Sequence, residues 1–356
     1  MRSPSSLRAR LSLGIVLVAA TALAACSSDS SSKSTAETLP LSTLPATVAS
    51  TTPPAVTDAP TTAATQVATY PLTGLPVSDE AAAARPAMIA KVGNYDSYPQ
   101  TGLNAADIVY EELINDHISR FAIVYQSQAP KDLVGPIRSG RRQDVDLLTN
   151  LNHPVLAWAG GNAFVTKDVA DSELVNMSQT YCNKACMRVD FTKAPYNLYF
   201  DIAKAWEKMP EGGKTPPQQF QYRTTGAALA GSAATGVDMT IDSYKIGWTW
   251  NDSTKQYERT QNKKADTERN GDRVTTENVL ILKMVYKFSV GSPAAQSVGS
   301  GEAFLFTGGN MVHGTWSRAD NHDVYTLTAD DGSTFLLTPG RTFVELPRKE
   351  DIVTPK

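Results

Sequence analysis

Histidine and cysteine are scarce in this chain: four of the first and three of the second in 356 residues. The histidines stand at 117, 153, 313 and 322, and no two lie at metal-ligand spacing. Zinc sites are built from close pairs of such residues, so no metal is expected. A surplus of positive charge is also missing. Lys and Arg number 33 against 36 Asp and Glu, with no basic tail or stripe, which excludes the electrostatic footprint of a nucleic-acid binder. Gly-x-Ser-x-Gly does not occur, so the strained serine elbow of the α/β-hydrolases is absent. Gly160-Gly161-Asn162 falls short of the dinucleotide fingerprint, and no cofactor is expected. No apolar run reaches the roughly 20 residues of a comfortable membrane span.

The nearest approach to such a run stands at the N-terminus. Arg2, Arg8 and Arg10 precede an apolar stretch from Leu11 to Ala25 without an acidic residue. It ends in Leu23-Ala24-Ala25-Cys26, with the small residues that a signal peptidase requires. Residues 1–25 therefore read as a signal peptide. Its removal takes three of the 33 basic residues and leaves 30 against 36 acidic ones, a net of −6. A Cys after Leu-Ala-Ala resembles the lipobox of bacterial lipoproteins. That resemblance implies that Cys26 becomes an acylated N-terminus, with the folded part anchored to the cell membrane outside the cytoplasm. Cys182 and Cys186 remain. In an oxidising compartment two nearby thiols are expected to form a local disulfide.

Residues 26–69 read as a tether. Ser, Thr, Ala and Pro dominate, with too few large apolar side chains to offset ordering entropy, and the prolines stiffen it into a spacer. Residues 70–210 read as an α/β domain. Short apolar runs at 87–92, 106–113, 120–126 and 154–159 suit buried strands. Helices are expected over 139–151, 164–170 and 197–208. Gly212, Gly213, Pro216 and Pro217 open a linker over 211–235. Residues 236–347 read as a β-rich antiparallel domain, a meander or small barrel, with strands at 244–250, 256–260, 279–285, 302–307, 311–318, 323–329 and 334–338. Gly308-Gly309-Asn310 and Asp330-Asp331-Gly332 are hairpin-type turns. Residues 348–356 form a tail.

Several segments together are similar to one family. They are Pro71-Leu72-Thr73-Gly74, Ala106-Asp107-Ile108-Val109-Tyr110-Glu111, Ile118-Ser119-Arg120-Phe121, Val134-Gly135-Pro136-Ile137-Arg138-Ser139-Gly140-Arg141, Ala159-Gly160-Gly161 and Pro195-Tyr196-Asn197-Leu198-Tyr199, with Gly314-Thr315-Trp316 and Asp331-Gly332 to Pro339-Gly340 closing the set. Their order and spacing resemble the YerB-like lipoproteins, across roughly residues 70–347. The resemblance implies an α/β domain, a β-rich domain and an extracytoplasmic lipoprotein; it implies no reaction. The chain departs from the family pattern at Asn115-Asp116-His117, where Glu-Gly-Gly is usual, and at Trp158 and Tyr196, where His is common. A mechanism depending on those histidines is therefore not expected.

The strongest candidate cluster is Arg138-Ser139-Gly140-Arg141-Arg142, placed where a turn feeds a helix. A helix start offers free N–H groups and partial positive charge. Ser139 suits a cap, and Arg forks match carboxylate or phosphate. The plain alternative pairs Arg138 with Glu111 or Asp107. Gly160, Gly161 and Asn162 follow a strand and let a backbone approach a ligand; a tight turn is the alternative. Arg188 extends the basic pocket. Asn197 orients a polar ligand or caps a helix. Glu111 and Asp107 are candidate bases, whereas Glu111 and Glu112 alternate onto opposite faces. Trp248, Trp250 and Trp316 suit either a sugar platform or, more often, a core.

The expected function is thus a non-enzymatic binding or scaffold lipoprotein of the cell envelope. Its ligand is anionic: a wall polymer, a peptide carboxylate or an acidic loop of an envelope protein. The alternative is a hydrolase of envelope material using Glu111 or Asp107. A mechanical spacer without a ligand is a third reading, marked by an apolar patch.

Overall fold

A computed structural model describes residues 67–94, 99–115 and 118–356. The signal segment, Cys26, nearly all of the tether and Asp116-His117 lie outside the described residues. In chain order the elements are α1 (Glu80–Ala84), β1 (Met88–Gly93), β2 (Ile108–Asn115), β3 (Ile118–Tyr125), α2 (Gln143–Leu148), β4 (Val155–Trp158), α3 (Ala163–Ala170), β5 (Val175–Ser178), β6 (Cys186–Arg188), β7 (Leu198–Phe200) and α4 (Ile202–Lys208). Strands follow: β8 (Ser232–Ala233), β9 (Gly236–Ile241), β10 (Tyr244–Asn251), β11 (Gln256–Gln261), β12 (Lys264–Ala265), β13 (Thr275–Thr276), β14 (Asn278–Leu282), β15 (Tyr286–Ser289), β16 (Ser292–Ala295), β17 (Gly299–Thr307), β18 (Asn310–Arg318), β19 (Thr326–Ala329), β20 (Thr342–Glu345) and β21 (Val353–Pro355).

β1 is buried on both faces, and so is β2 up to its last residue. Near-continuous apolar runs of this kind belong in the middle of a covered sheet. That sheet has eleven strands, ordered β19-β18-β17-β14-β20-β2-β3-β1-β4-β5, with β8 added at β18. Its central joint is β20. Thr342–Glu345 run parallel to Ile108–Glu111 on one side and to Asn278–Ile281 on the other. A strand from near the C-terminus thereby fuses the early and late strands into one sheet.

Alternation sends the side chains of this sheet into two cores. On one face Ile89, Tyr110, Val124, Leu156 and Leu280 pack with Leu147 and Leu148 of α2 and Val165 and Val169 of α3. On the other, Phe121, Ile123, Ile281, Phe306 and Phe343 meet Val237, Met239, Trp248 and Tyr257 of a second sheet. This six-stranded sheet is ordered β12-β11-β10-β9-β21, with β13 on β11, and is antiparallel throughout. Helices, central sheet and second sheet make three layers, each apolar face covered. Trp248 and Trp316 are core residues: Trp248 lies 4.9 Å from the Phe343 ring, and Trp316 meets Tyr325 edge-on at 5.6 Å.

The two sheets are joined by a buried ionic knot. Arg259 of β11 has no exposed side-chain surface and reaches Glu111 of β2, Asp266 and Glu345 of β20. Phe121, Trp248 and Phe343 flank its guanidinium. Burial alone lowers an arginine's pKa, but Glu111, Asp266 and Glu345 more than offset it and hold Arg259 charged. Glu345 takes the Trp248 indole N–H at 2.9 Å. Burial and the charge of Glu111 push its carboxyl well above the usual range, so Glu345 is the acid that keeps its proton.

Several expected elements differ: residues 348–356, expected as a tail, carry β21, antiparallel to β9, and residues 211–235, expected as a linker, carry β8, paired with β18. The 139–151 helix contracts to α2 and one 3-10 turn over Thr149–Leu151, and Ser139 does not cap it. Gly140 lies so close to Trp158 that a Cβ there would come 2.7 Å from the ring, and its N–H donates to Gly160 O at 3.0 Å instead of entering a helix. The 197–208 helix splits into β7, paired with β6, and α4, which Asp201 caps through Lys204 N–H at 3.0 Å. Asn197 therefore caps nothing. Residues 334–338 form only isolated bridges, Thr334 with Thr328 and Leu337 with Tyr222, because their backbone is divided between two partners.

Candidate anion-binding cleft

The Val134–Arg138 segment is fixed from both sides. Val134 and Phe200 exchange backbone hydrogen bonds at 2.7 and 2.9 Å, and Ile137 N–H donates to Leu198 O at 2.8 Å. Arg138 N–H donates to Lys91 O of β1 at 2.8 Å, and Arg138 O accepts from Ala159 at 3.0 Å. The irregular segment is thus threaded between β7, β1 and the end of β4, which leaves the Arg138 side chain on the rim.

There a cleft of about 380 Å³ opens, lined by Ile137, Arg138, Ser139, Ala159, Gln179, Arg188, Ala194, Pro195 and Leu198. Arg138 donates to Pro195 O at 2.7 Å and lies over the Tyr196 ring at 4.7 Å. Arg188 comes from β6, directly after the Cys182–Cys186 disulfide. It donates to Asn197 Oδ1 at 2.7 Å and to Gln179 Oε1 at 3.3 Å. Both guanidiniums are thus oriented by neutral acceptors, and no carboxylate lines the cleft. Behind it Arg120 is buried and donates to Ser139 O. Burial lowers its pKa to about 9, reinforced by Arg141 and Arg138. Arg120, Arg138 and Arg141 are thus close enough to act on one another, with Asp144 opposing them at Arg120.

The sequence-level constellation divides. Arg138, Ser139 and Arg188 come together at the cleft, with Asn197 behind Arg188. Gly160 does not line the cleft; it follows the lining residue Ala159 with φ +84° and open space where a Cβ would project. Gly161 faces inward, where a Cβ would lie 3.0 Å from Val165 and 3.3 Å from Trp158, so it serves packing. Asn162 caps α3 through Val165 N–H at 3.0 Å. Arg141 turns back to Gly140 O at 2.9 Å. Arg142 leaves in another direction, 3.6 Å from Asp168, in a hollow shared with Asp146, Asp171 and Glu173. The N-terminus of α2 is no anion site: Asp144 already accepts from Arg141 N–H at 2.6 Å.

The carboxyl candidates are sealed. Glu111 pairs with Arg259 and accepts from Asn94 at 2.9 Å and Ser119 at 2.6 Å. Asp107 accepts from Gln126 and Ser127 N–H at 2.5 and 2.7 Å. Neither pairs with Arg138, contrary to the plain alternative, because β2 is covered on both faces. Sequence reasoning missed Gln179 and Tyr196 as orienting groups. It also missed Arg259, although a charged residue between Tyr257 and Gln261 on the inward side of an alternating strand is a signal for a buried partner. No group of three His, Cys, Asp or Glu side chains poised for a metal occurs among the described residues.

The cleft-forming half and the half that supplies Arg259 coincide with two matched regions. Residues 72–215 match the N-terminal domain, and 237–344 the C-terminal domain, of the family described as "Protein of unknown function (DUF3048)". The chain belongs to the DUF3048 family. A relative in Bacillus subtilis (strain 168) bears the name "Putative lipoprotein YerB"; it is 27% identical over 293 residues, covering 78% of this chain and 85% of its own length. A crystal structure of the YerB protein from Bacillus subtilis has a TM-score of 0.69 at 24% identity, over 81% of this chain and 99% of that one. That likeness extends the DUF3048 fold across the described residues, and the resemblance read from the segments at 71–74 through 339–340 is thereby established.

Proposed function

We propose that the chain is a lipid-anchored, extracytoplasmic binding protein whose ligand carries a carboxylate or phosphate on a partly apolar body. One observation carries this: Arg138 and Arg188 converge on a cleft without a single acid in its lining, in a chain where acids outnumber bases. Ile137, Ala159, Pro195 and Leu198 supply the apolar wall. The Arg138 and Arg188 forks meet the anion in charge-assisted pairs. The lining offers no carboxylate, histidine or thiol as a base, which favours holding a ligand over hydrolysing it. Cys26 carries the anchor, as the 1–25 segment and the relative named a lipoprotein support.

The test is calorimetric titration of the full chain with inorganic polyphosphate, and separately with a short peptide ending in a free carboxylate. A charge-assisted hydrogen bond contributes about 1.5–3 kcal/mol, so Arg138→Ala with Arg188→Ala weakens the responding probe at least about tenfold. Affinity unchanged by that double variant sinks the reading. Cys26→Ala moves the protein from the membrane to the soluble fraction; retention on the membrane refutes the anchor.

A further inference from the structure

Lys91 of β1 and Glu112 of β2 face the helical side of the central sheet, with β3 between them. Opposite Lys91 on β3 stands Ala122, whose single methyl lets the two long side chains meet above it. Lys91 Nζ contacts Glu112 Oε1 and lies 2.8 Å from Asp144 Oδ1 of α2. None of the three side chains has any solvent-exposed surface. Asp144 is held in place by Arg141 N–H on its other oxygen. No hydrogen-bond donor other than Lys91 meets Glu112 among the described residues.

We propose that Lys91 and Glu112 are joined by an intramolecular isopeptide bond, formed by the protein itself with Asp144 as the catalytic residue. The Lys91 Nζ lone pair adds to Cδ of the protonated Glu112 carboxyl. Asp144 takes the proton released from Nζ and returns it to the departing hydroxyl. The C–O bond breaks, one water leaves and a neutral amide remains; no oxidant or co-reactant is involved. Each requirement of this condensation is present. Burial disfavours the charged forms of amine and acid alike. It draws Lys91 down to about 8 against the opposing pull of Asp144, so the nucleophilic free amine is accessible. Amine and carboxyl are held in contact, and such proximity is worth effective molarities on the order of 10⁵ M or more. The side chains have no solvent-exposed surface, and exclusion of bulk water disfavours hydrolysis of the amide. The product also removes two opposite charges whose burial is costly, and it ties β1 to β2 across β3, directly under the segment that presents Arg138.

The test is mass spectrometry of the reduced, trypsin-digested full chain. An amidated Lys91 resists trypsin, so the expected product is a fragment containing both residues, uncut after Lys91 and lighter by one water, about 18 Da. Fragment ions place the link at Glu112. Lys91→Met and Glu112→Ala restore the full mass. Asp144→Asn also restores it in a protein that still melts cooperatively. A wild-type fragment cut after Lys91, with a free carboxyl at Glu112, overturns the proposal without reference to any variant. A link placed at Asp144 overturns the assignment of the acyl partner, and a linked, folded Asp144→Asn variant overturns the catalytic role.

Discussion

Replacing Arg259 by Met tests how the two sheets are held. The substitution keeps most of the side-chain volume between Phe121, Trp248 and Phe343 and removes the charge with its N–H donors. Glu111 and Asp266 are then left without their counter-ion beside the protonated Glu345, all sealed from water. Breaking a buried pair on one side costs about 3–5 kcal/mol, because the remaining charge has lost its partner and cannot regain solvent. A urea m-value near the upper end for single domains, about 3 kcal/mol/M, turns that into a drop of roughly 1–1.7 M in the unfolding midpoint. Far-UV circular dichroism across a urea series reads it directly. Adding Glu111→Gln to the same protein recovers part of the loss, since one orphaned charge is gone while Asn94 and Ser119 can still bond the amide. A single-variant loss under about 1 kcal/mol, or no recovery in the double variant, refutes the view that Arg259 is the counter-ion that makes this joint tolerable.

Other outcomes follow from the same structure. Glu345 has a raised pKa in the folded protein, so the folded state holds a proton that the unfolded state releases near the usual carboxylate value. Stability therefore falls as pH rises from about 4.5 towards the raised value, and Glu345→Gln flattens that slope in midpoints measured at pH 5 and pH 8. His313 is raised by Asp330 at 2.7 Å and further by Glu302 at 3.2 Å. Its contribution is present below about 6.5 and fades as pH climbs through the raised value; proton NMR of its ring shows the midpoint falling in Asp330→Asn. The Cys182–Cys186 bridge closes a short loop, so removing both thiols costs only about 2 kcal/mol. Because Arg188 leaves β6 directly after it, reduction also weakens the probe that responds to Arg138 and Arg188, and an affinity indifferent to dithiothreitol counts against the cleft.

Much of this was legible in the sequence where local pattern and tertiary demand agree. The runs at 87–92, 106–113 and 120–126 became β1, β2 and β3 because a short apolar run between turns has few other uses. The hairpin at Gly308-Gly309 followed from its turn chemistry. The helix expected at 139–151 failed because Gly140 answers to Trp158 across the fold, a contact that no local window contains. The cleft was legible only in part. Arg138 and Arg188 were named, but arginines adjacent in sequence diverge in space, and Arg142 ended beside Asp168. The partners of Glu111 and Glu112 were illegible for a simpler reason. Arg259 lies 148 positions from Glu111, and alternation tells which side a carboxyl takes without telling what waits there.

The placement of β20 bears on the order in which the central sheet can be completed. Thr342–Glu345 are synthesised long after Ile108–Glu111, yet β2 has no neighbour on that side until they arrive. A chain that folds as it is made must wait, with the unpaired edge of β2 open to aggregation, for the strand that closes the gap. Loss of β20 would accordingly strip the early half of its neighbour as surely as the late half.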